Sequence, residues 1–192
     1  MHRRVVVIAI AVAAIAAGWW VAVRLRGPST SAPAGSTATA GTGTAAAARK
    51  ITATLYYVSD DGMSLVGVQR EVPYGDSVLE QARQIVDAQL TPAPAPLVSA
   101  IPQGAALRAL YLTDRGDAFV DLSAEARTMH SGGALDELFT VYSIVNALTT
   151  NLPAVTRVQI LVDGKEVDTL AGHVDLRHPL QKNLKWVKTD KT

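Results

Sequence analysis

The chain has 192 residues, 48% apolar and 18% charged, with 18 Lys and Arg against 17 Asp and Glu and no cysteine. These values suit one folded domain with additional segments and exclude a collagen-like, coiled-coil or wholly disordered chain. The missing cysteines rule out a disulfide framework, a thiolate metal site, a cysteine nucleophile and a lipoprotein cysteine, and a formal net charge of +1 lacks the basic excess of a nucleic-acid binder.

From the N-terminus, Val5 to Val23 (VVVIAIAVAAIAAGWWVAV) forms a 19-residue stretch without a charged side chain, long enough to cross a bilayer as one helix. Val5, Ile8, Ile10, Ile15 and Val23 supply its apolar surface, and Trp19 and Trp20 sit near one end, where indole rings favour the headgroup layer. The stretch exceeds a typical secretory h-region, so residues 1–26 are expected to be an uncleaved signal-anchor. Small-x-small triplets at Ala14-Ile15-Ala16 and Ala32-Pro33-Ala34 leave cleavage, and hence secretion, as the alternative. Arg3 and Arg4 on one flank nearly balance Arg24 and Arg26 on the other. The short N-terminal flank and the segment that follows favour a C-terminal domain outside the cytoplasmic membrane.

That segment, Gly27 to Ala48 (GPSTSAPAGSTATAGTGTAAAA), has no charge and no large side chain and cannot bury enough apolar surface to offset its chain entropy. Residues 27–50 are therefore expected to be a disordered Ala/Gly/Ser/Thr/Pro linker, reaching about 25 Å on average as a flexible coil.

Residues 51–180 carry the folding signals. Ile51 to Val58 and Met63 to Val72 read as two strands around the turn Ser59-Asp60-Asp61-Gly62. A helix is expected from Ser77 to about Leu90, with Ser77 and Glu80 at capping-box spacing and Val78, Ala82, Ile85, Val86 and Leu90 at helical spacing. Thr91-Pro92-Ala93-Pro94-Ala95-Pro96 ends it. Ala106 to Thr113 and Asp117 to Leu122 are the next strands. A second helix follows from about Ala134 to Thr150, with Leu135, Leu138, Phe139, Tyr142, Val145 and Leu148 on one face. Val155 to Val162 and Lys165 to Leu170 form a final hairpin around Asp163-Gly164. The ββαββαββ order predicts an α+β two-layer sandwich: a mainly antiparallel sheet with two helices on one face. Residues 181–192 are expected to be a basic tail, in the first instance a solvated terminus, with docking to an acidic surface as the alternative.

No strong catalytic motif appears: no nucleophile elbow, phosphate loop, paired-histidine zinc helix or dinucleotide fingerprint. His173, Asp175 and His178 are the best metal candidates, yet an extended segment puts only the first two on one side. Asp60-Asp61-Gly62 lacks the twelve-residue calcium-loop pattern and reads as a turn. Asp114-Arg115-Gly116-Asp117 contains an integrin-type tripeptide, but a turn favours the same residues for backbone reasons. Ser123 after Asp121 has no orienting base and reads as a turn or cap residue. Asp121, Glu125, Asp136 and Glu137 supply carboxylates for a glycosidase pair, although spacing in sequence does not set their separation in space.

Several segments together resemble the GerMN (sporulation and spore germination) domain. They are Leu55-Tyr56-Tyr57, Ile101-Pro102-Gln103-Gly104, Val120-Asp121-Leu122-Ser123, the helix carrying Glu137 and ending Asn146-Ala147-Leu148-Thr149, Val158 to Gly164 with its Asp163-Gly164 turn, His173-Val174-Asp175-Leu176, and Pro179-Leu180. The resemblance spans about Ile51 to Leu180, in one copy where some members have two. It implies a small α+β domain, similar in type to the ring-building motifs of envelope secretion complexes, on a membrane-anchored or lipidated extracytoplasmic bacterial protein. It carries over no catalytic site and no cofactor. Tyr57, Ile101, Pro102, Gly104, Asp121, Leu122, Ser123, Asp163, Gly164 and Pro179 are expected to be fold markers.

The reading that follows is a non-enzymatic envelope protein, single-pass in the cytoplasmic membrane, with no nucleic acid, metal or cofactor. Its domain would bind another envelope protein or itself, through sheet edges or a sheet face. The alternative is binding or hydrolysis of cell-wall glycan. Split by segment, the net charge is +6 over residues 1–50, −9 over 51–176 and +4 over 177–192. The near-neutral total is a cancellation between a basic anchor flank suited to anionic lipid and an acidic domain.

Overall fold

The computed structural model describes residues 49–188. The apolar stretch Val5–Val23 and nearly all of the linker lie outside the described residues, and among those described no helix is long and apolar enough to cross a membrane.

Strands β1 (Lys50–Val58) and β2 (Leu65–Pro73) pair antiparallel in register from Lys50↔Pro73 to Val58↔Leu65. Helix α1 (Val78–Gln89) follows, with Ser77 as its N-cap accepting from the Glu80 N–H at 3.1 Å, as the capping spacing predicts. Strands β3 (Leu107–Leu112) and β4 (Asp117–Leu122) form the next hairpin. A four-residue helix, α2 (Glu125–Thr128), leads to the long α3 (Ala134–Asn151). Strand β5 (Arg157–Val162) and the two-residue β6 (Lys165–Glu166) and β7 (Leu180–Gln181) complete the order.

The class is α+β, but the strands do not join into one sheet. β1 and β2 form a sheet of their own, and the other five form a second sheet ordered β3-β4-β5-β6, with β7 also on β5. Within it β4 and β5 run parallel, from Asp117↔Arg157 to Leu122↔Val162, because the chain returns through α2 and α3 rather than through a tight turn. Helix α3 packs on β1 and on β5 and so touches both sheets, while α1 lies against β1, β2, β3 and α3.

A helix lodged between two sheets has no free face. Phe139, Val141, Ile144, Val145, Ala147 and Leu148 of α3 are buried, whereas Leu135, Leu138 and Tyr142 from the expected face are only half-buried. One continuous core results, joining Leu55 and Tyr57 to Ile85, Leu110, Leu122, Ile160 and Leu176. The final hairpin is shorter than expected: Asp163 (φ +52°) and Gly164 (φ +73°) make the two-residue turn, but β6 stops at Glu166 because the chain leaves the sheet to wrap the carboxylate of Glu137.

The folded part also runs past Leu180. Leu180 and Gln181 pair with β5, and Asn183 exchanges two hydrogen bonds with the Asn146 side chain, donating its N–H at 2.9 Å and accepting on its C=O at 2.8 Å. Next, Leu65 of β2 donates to the Trp186 carbonyl at 2.7 Å and accepts from the Lys188 N–H at 2.7 Å. Residues 180–188 are thus a strap from the second sheet to the first, and Lys188 Nζ meets Asp61 at 3.1 Å.

The outer edge of β1 is closed over Thr54–Val58 by two side-chain amides and one backbone bridge. Asn151 of α3 accepts from the Thr54 N–H and donates to its C=O, both at 2.8 Å. Gln89 of α1, fully buried, does the same for Tyr56 at 2.9 and 2.7 Å. Val98 pairs with both groups of Val58 at 2.8 and 3.0 Å. Substituting Gln89→Ala leaves two buried backbone groups without partners and is expected to cost about 2–4 kcal/mol, read as a lowered midpoint in thermal or urea unfolding.

Candidate interaction surfaces and the family residues

The resemblance residues lie at turns and in the core. Tyr57 is fully buried, its hydroxyl accepting from Arg70 Nη1 at 2.8 Å. Ile101 is buried, the Ala105 N–H bonds back to the Pro102 carbonyl at 3.2 Å, and Gly104 takes φ +87°, a conformation that L side chains avoid. Ser123 accepts from the Ala106 N–H on its hydroxyl at 3.1 Å and donates its own N–H to the Ala106 carbonyl at 2.9 Å. It joins the β4 end to the chain entering β3, and its hydroxyl also bonds the Glu125 carboxylate.

Asp121 is buried between two neighbours. One oxygen accepts from the Gly164 N–H at 2.7 Å and the other lies 3.5 Å from Arg108 Nε. Arg108 also pairs with Asp163, whose N–H bonds to the Leu122 carbonyl at 2.9 Å. Asp121, Leu122, Asp163 and Gly164 therefore form one unit that pins the β5–β6 turn to the end of β4. Pro179, half-buried, sets the chain into β7.

The remaining carboxylates are engaged separately. Asp136 accepts from the Ser131 hydroxyl at 2.9 Å. Glu125 is held below the usual glutamate range by the Ser123 hydroxyl, and a Cβ built on Gly104 would touch its side chain at 3.6 Å. Glu137, with no exposed surface, accepts from the Leu170 and His173 N–H groups, each at 2.7 Å, and lies 3.2 Å from His173 Nδ1. Burial pushes its carboxyl up, but the N–H groups of Ala171, His173, Leu170 and Val174 outweigh that and bring it below the usual range. The four acids weighed as a glycosidase pair thus hold four different pieces of backbone or side chain.

The other candidates are likewise occupied. Asp175 is bidentate with Arg177 at 2.9 and 2.7 Å, and among the described residues no group of three metal-ligating side chains converges. Asp61 accepts from Ser59 Oγ at 2.5 Å, from the Met63 N–H at 3.0 Å and from Lys188, which together bring its pKa to about 2. In Asp114-Arg115-Gly116-Asp117 the Gly116 carbonyl accepts from the Thr156 N–H at 2.8 Å, and Asp117 is bidentate with Arg157 at 2.7 and 2.9 Å. That acid is not free for adhesion.

Two surfaces stand out among the described residues. A shallow groove of about 450 Å³ is walled by Leu90, Leu97, Val98, Ile101, Pro102 and Met129, with His130 and Ser131 at its rim. The Gly132 N–H donates to His130 Nδ1 at 3.0 Å, so Nε2 carries the proton toward Thr140 Oγ1 at 3.1 Å, and Thr140 donates on to the Ala100 carbonyl. This relay clips the groove loop to α3. The other surface is the outer edge of β2, where Gly67, Gln69 and Glu71 are exposed.

Sequence reasoning missed the supporting amides Gln81, Gln89 and Asn151, and met Asn146 only as part of the resemblance helix. The available signal was Gln81 and Gln89 lying one helical turn either side of Ile85 on the apolar stripe of α1, where a buried polar group needs a partner. Glu137→Gln replaces an acceptor-only group with one that turns an amide N–H toward backbone donors, at a cost of about 2–4 kcal/mol near neutral pH. Because the folded-state pKa of Glu137 is depressed, its contribution is complete above the unfolded value of about 4.3 and drains as pH falls through the lower folded value. Urea unfolding of both proteins should show the gap closing on acidification. Asp121→Ala, which frees the Gly164 N–H and one side of Arg108, is expected to lower stability by about 1–3 kcal/mol in the same assay.

The family model described as sporulation and spore germination (Germane) matches residues 54–168. Among solved structures, a Clostridium perfringens protein described as a candidate lipoprotein is 25% identical, covering 69% of this chain and 88% of its own, with a TM-score of 0.51. The first GerMN domain of the Bacillus subtilis sporulation protein GerM is 19% identical over 68% of this chain and 97% of its own, with a TM-score of 0.53. The tandem GerMN domains of the same protein are 18% identical over 71% of this chain at a TM-score of 0.55, and the match spans 46% of that longer chain. No curated protein sequence matches. The chain belongs to the sporulation and spore germination (Germane) family, and its folded part is a GerMN domain.

Proposed function

We propose that this chain is a non-enzymatic envelope protein whose GerMN domain makes protein–protein contacts during assembly of an envelope complex. Residues 5–23 cross the cytoplasmic membrane once, residues 27–48 act as a tether, and the domain stands outside the cytoplasm. The observation that carries the reading is the engagement of Asp121, Glu125, Asp136 and Glu137 in separate structural contacts, beside an apolar groove with exposed Val98 and Met129 on its walls. Surfaces of this kind serve contact rather than bond cleavage. The family's link to sporulation and germination supports an envelope setting, as does the C. perfringens relative's description as a candidate lipoprotein.

The acidic balance of the domain adds an argument about placement. Counted to the end of the strap, residues 51–188 carry −5 against +6 over residues 1–50, so anionic lipid attracts the anchor flank and repels the domain, which keeps the groove available to a protein partner at the end of its tether.

Two measurements test the proposal on the full chain in intact cells. Photo-crosslinkers placed at Val98, Met129 and Tyr111 are expected to capture envelope proteins or a second copy, and capture from none of these positions overturns it. Protease added to spheroplasts is expected to degrade the domain; complete protection overturns the topology.

A further inference from the structure

The larger sheet turns one face to α1 and α3 and the other outward. On the inner face Leu110, Val120 and Ile160 lie buried in register across β3, β4 and β5. The next side chain on β3 and the preceding ones on β4 and β5 point the opposite way, which sets Tyr111, Phe119 and Gln159 in one row on the outer face. Tyr111 is 59% exposed and Phe119 is half-buried. Their Cβ atoms, directly opposite in an antiparallel pair, lie about 4.5–5.5 Å apart, so the two rings form one apolar floor. Gln159 is roofed: its Nε2 donates to the Leu176 and Arg177 carbonyls at 3.3 and 3.2 Å, so the chain there stands as a bank beside the floor.

Closed ion pairs border this floor. Two positions along β4 from Phe119 in one direction, Asp117 holds Arg157 bidentately at 2.7 and 2.9 Å. Two positions in the other, Asp121 meets Arg108, which also pairs with Asp163. On the bank, Asp175 holds Arg177 at 2.9 and 2.7 Å. The three guanidinium groups stay partly exposed, and a guanidinium has more N–H groups, and a carboxylate more lone pairs, than one bidentate pair uses. This combination selects an occupant. A charged partner meets charges that are already paired, and a wholly apolar one would bury the spare donors and acceptors unmatched. A pyranose ring suits both parts: its C–H face, polarised positive, lies on the negative face of an aromatic ring, while the hydroxyls and amides at its rim donate and accept.

The geometry points to the outer face around Tyr111 and Phe119 as a binding site for an uncharged polysaccharide, which for a domain outside the cytoplasm is the N-acetylated glycan of the cell wall. The inference goes beyond the protein-contact reading and rests only on its envelope placement. Asp117, Asp121 and Asp175 hold guanidinium groups or backbone, so the face retains glycan without cleaving it. The apolar groove lies elsewhere, where Val98 bridges to Val58 of β1, which leaves it open to a protein while the sheet face holds the wall.

The test sediments the full-length protein, in detergent, with purified wall sacculi freed of phosphate polymers. The wild type is expected to pellet and to be released by soluble N-acetylglucosamine oligomers. Its binding should be equal at about 0.05 and about 0.5 M salt, since a neutral ligand leaves no charge to screen. Tyr111→Ala is expected to weaken binding roughly tenfold at an unchanged unfolding midpoint, because the ring is mostly exposed. Tyr111→Phe, which keeps the ring, and Asp114→Ala, on the exposed β3–β4 turn, are expected to bind as the wild type does. The inference is overturned if the wild type stays in solution, if salt releases it, if Tyr111→Ala binds undiminished, or if Tyr111→Phe or Asp114→Ala loses as much as Tyr111→Ala. With the wild type in solution, a protein captured by the crosslinker at Tyr111 assigns the face to protein contact instead. Failure on sacculi alongside capture at Val98 or Met129 removes the glycan site alone; failure of both removes the wider reading as well.

Discussion

The fold depends on how the first strand is closed. A two-stranded hairpin is marginal by itself, and among the described residues β1 forms a ladder with β2 alone. Its stability comes from two helices that present amides where a third strand would present peptide groups: Gln89 from α1 at Tyr56 and Asn151 from α3 at Thr54. A carboxamide has the same donor and acceptor as a peptide unit, so each satisfies one residue's outward pair. The amides need α1 and α3 at fixed heights along β1, and that placement sets where the apolar stripes of both helices meet the core.

The same device recurs around the molecule. Gln81 accepts from the Gly75 N–H at 2.9 Å and donates to the Pro73 carbonyl at 3.1 Å, closing the entry to α1, and Asn146 holds Asn183 of the strap. Glu137 does with a carboxylate what these residues do with an amide. It gathers several N–H groups of the 170–174 loop and takes them away from any extension of β6. Buried polar side chains in this domain thus replace sheet: each stops a strand from continuing, or a stray one from joining, while leaving no buried side-chain polar atom unsatisfied among the described residues.

This explains what was legible in the sequence. The strands of β1 to β5 and the helices α1 and α3 were readable because period-two and period-3.6 patterns, the Ser77 cap and the Asp163-Gly164 turn are local. The split into two sheets was not, because it depends on Asn151 reaching Thr54, 97 positions away, and on Gln89 reaching Tyr56, 33 away. The parallel β4–β5 pairing was hidden for a related reason: strand content says nothing of whether a chain returns by turn or by helix. The strap was read as a free tail because Lys182, Lys185, Lys188 and Lys191 look solvated in sequence, whereas the contacts that hold it come mainly from backbone groups of Leu65, Trp186 and Lys188. The groove was invisible in the sequence because it is assembled from the Pro-rich loop and Met129-His130-Ser131.

The strap and the amides together bear on how such a domain limits pairing between its strand edges and other chains. An uncovered edge along the whole hairpin would invite indiscriminate pairing with other chains. Here the outer edge of β1 is filled at Thr54 and Tyr56 by amides and at Val58 by the Val98 backbone, and the β2 edge is shortened by the strap at Leu65 and by Pro73. That geometry separates stability from contact: the residues that hold the fold point inward or at backbone, and the outward groups of Gly67, Gln69 and Glu71 hold nothing within the described chain.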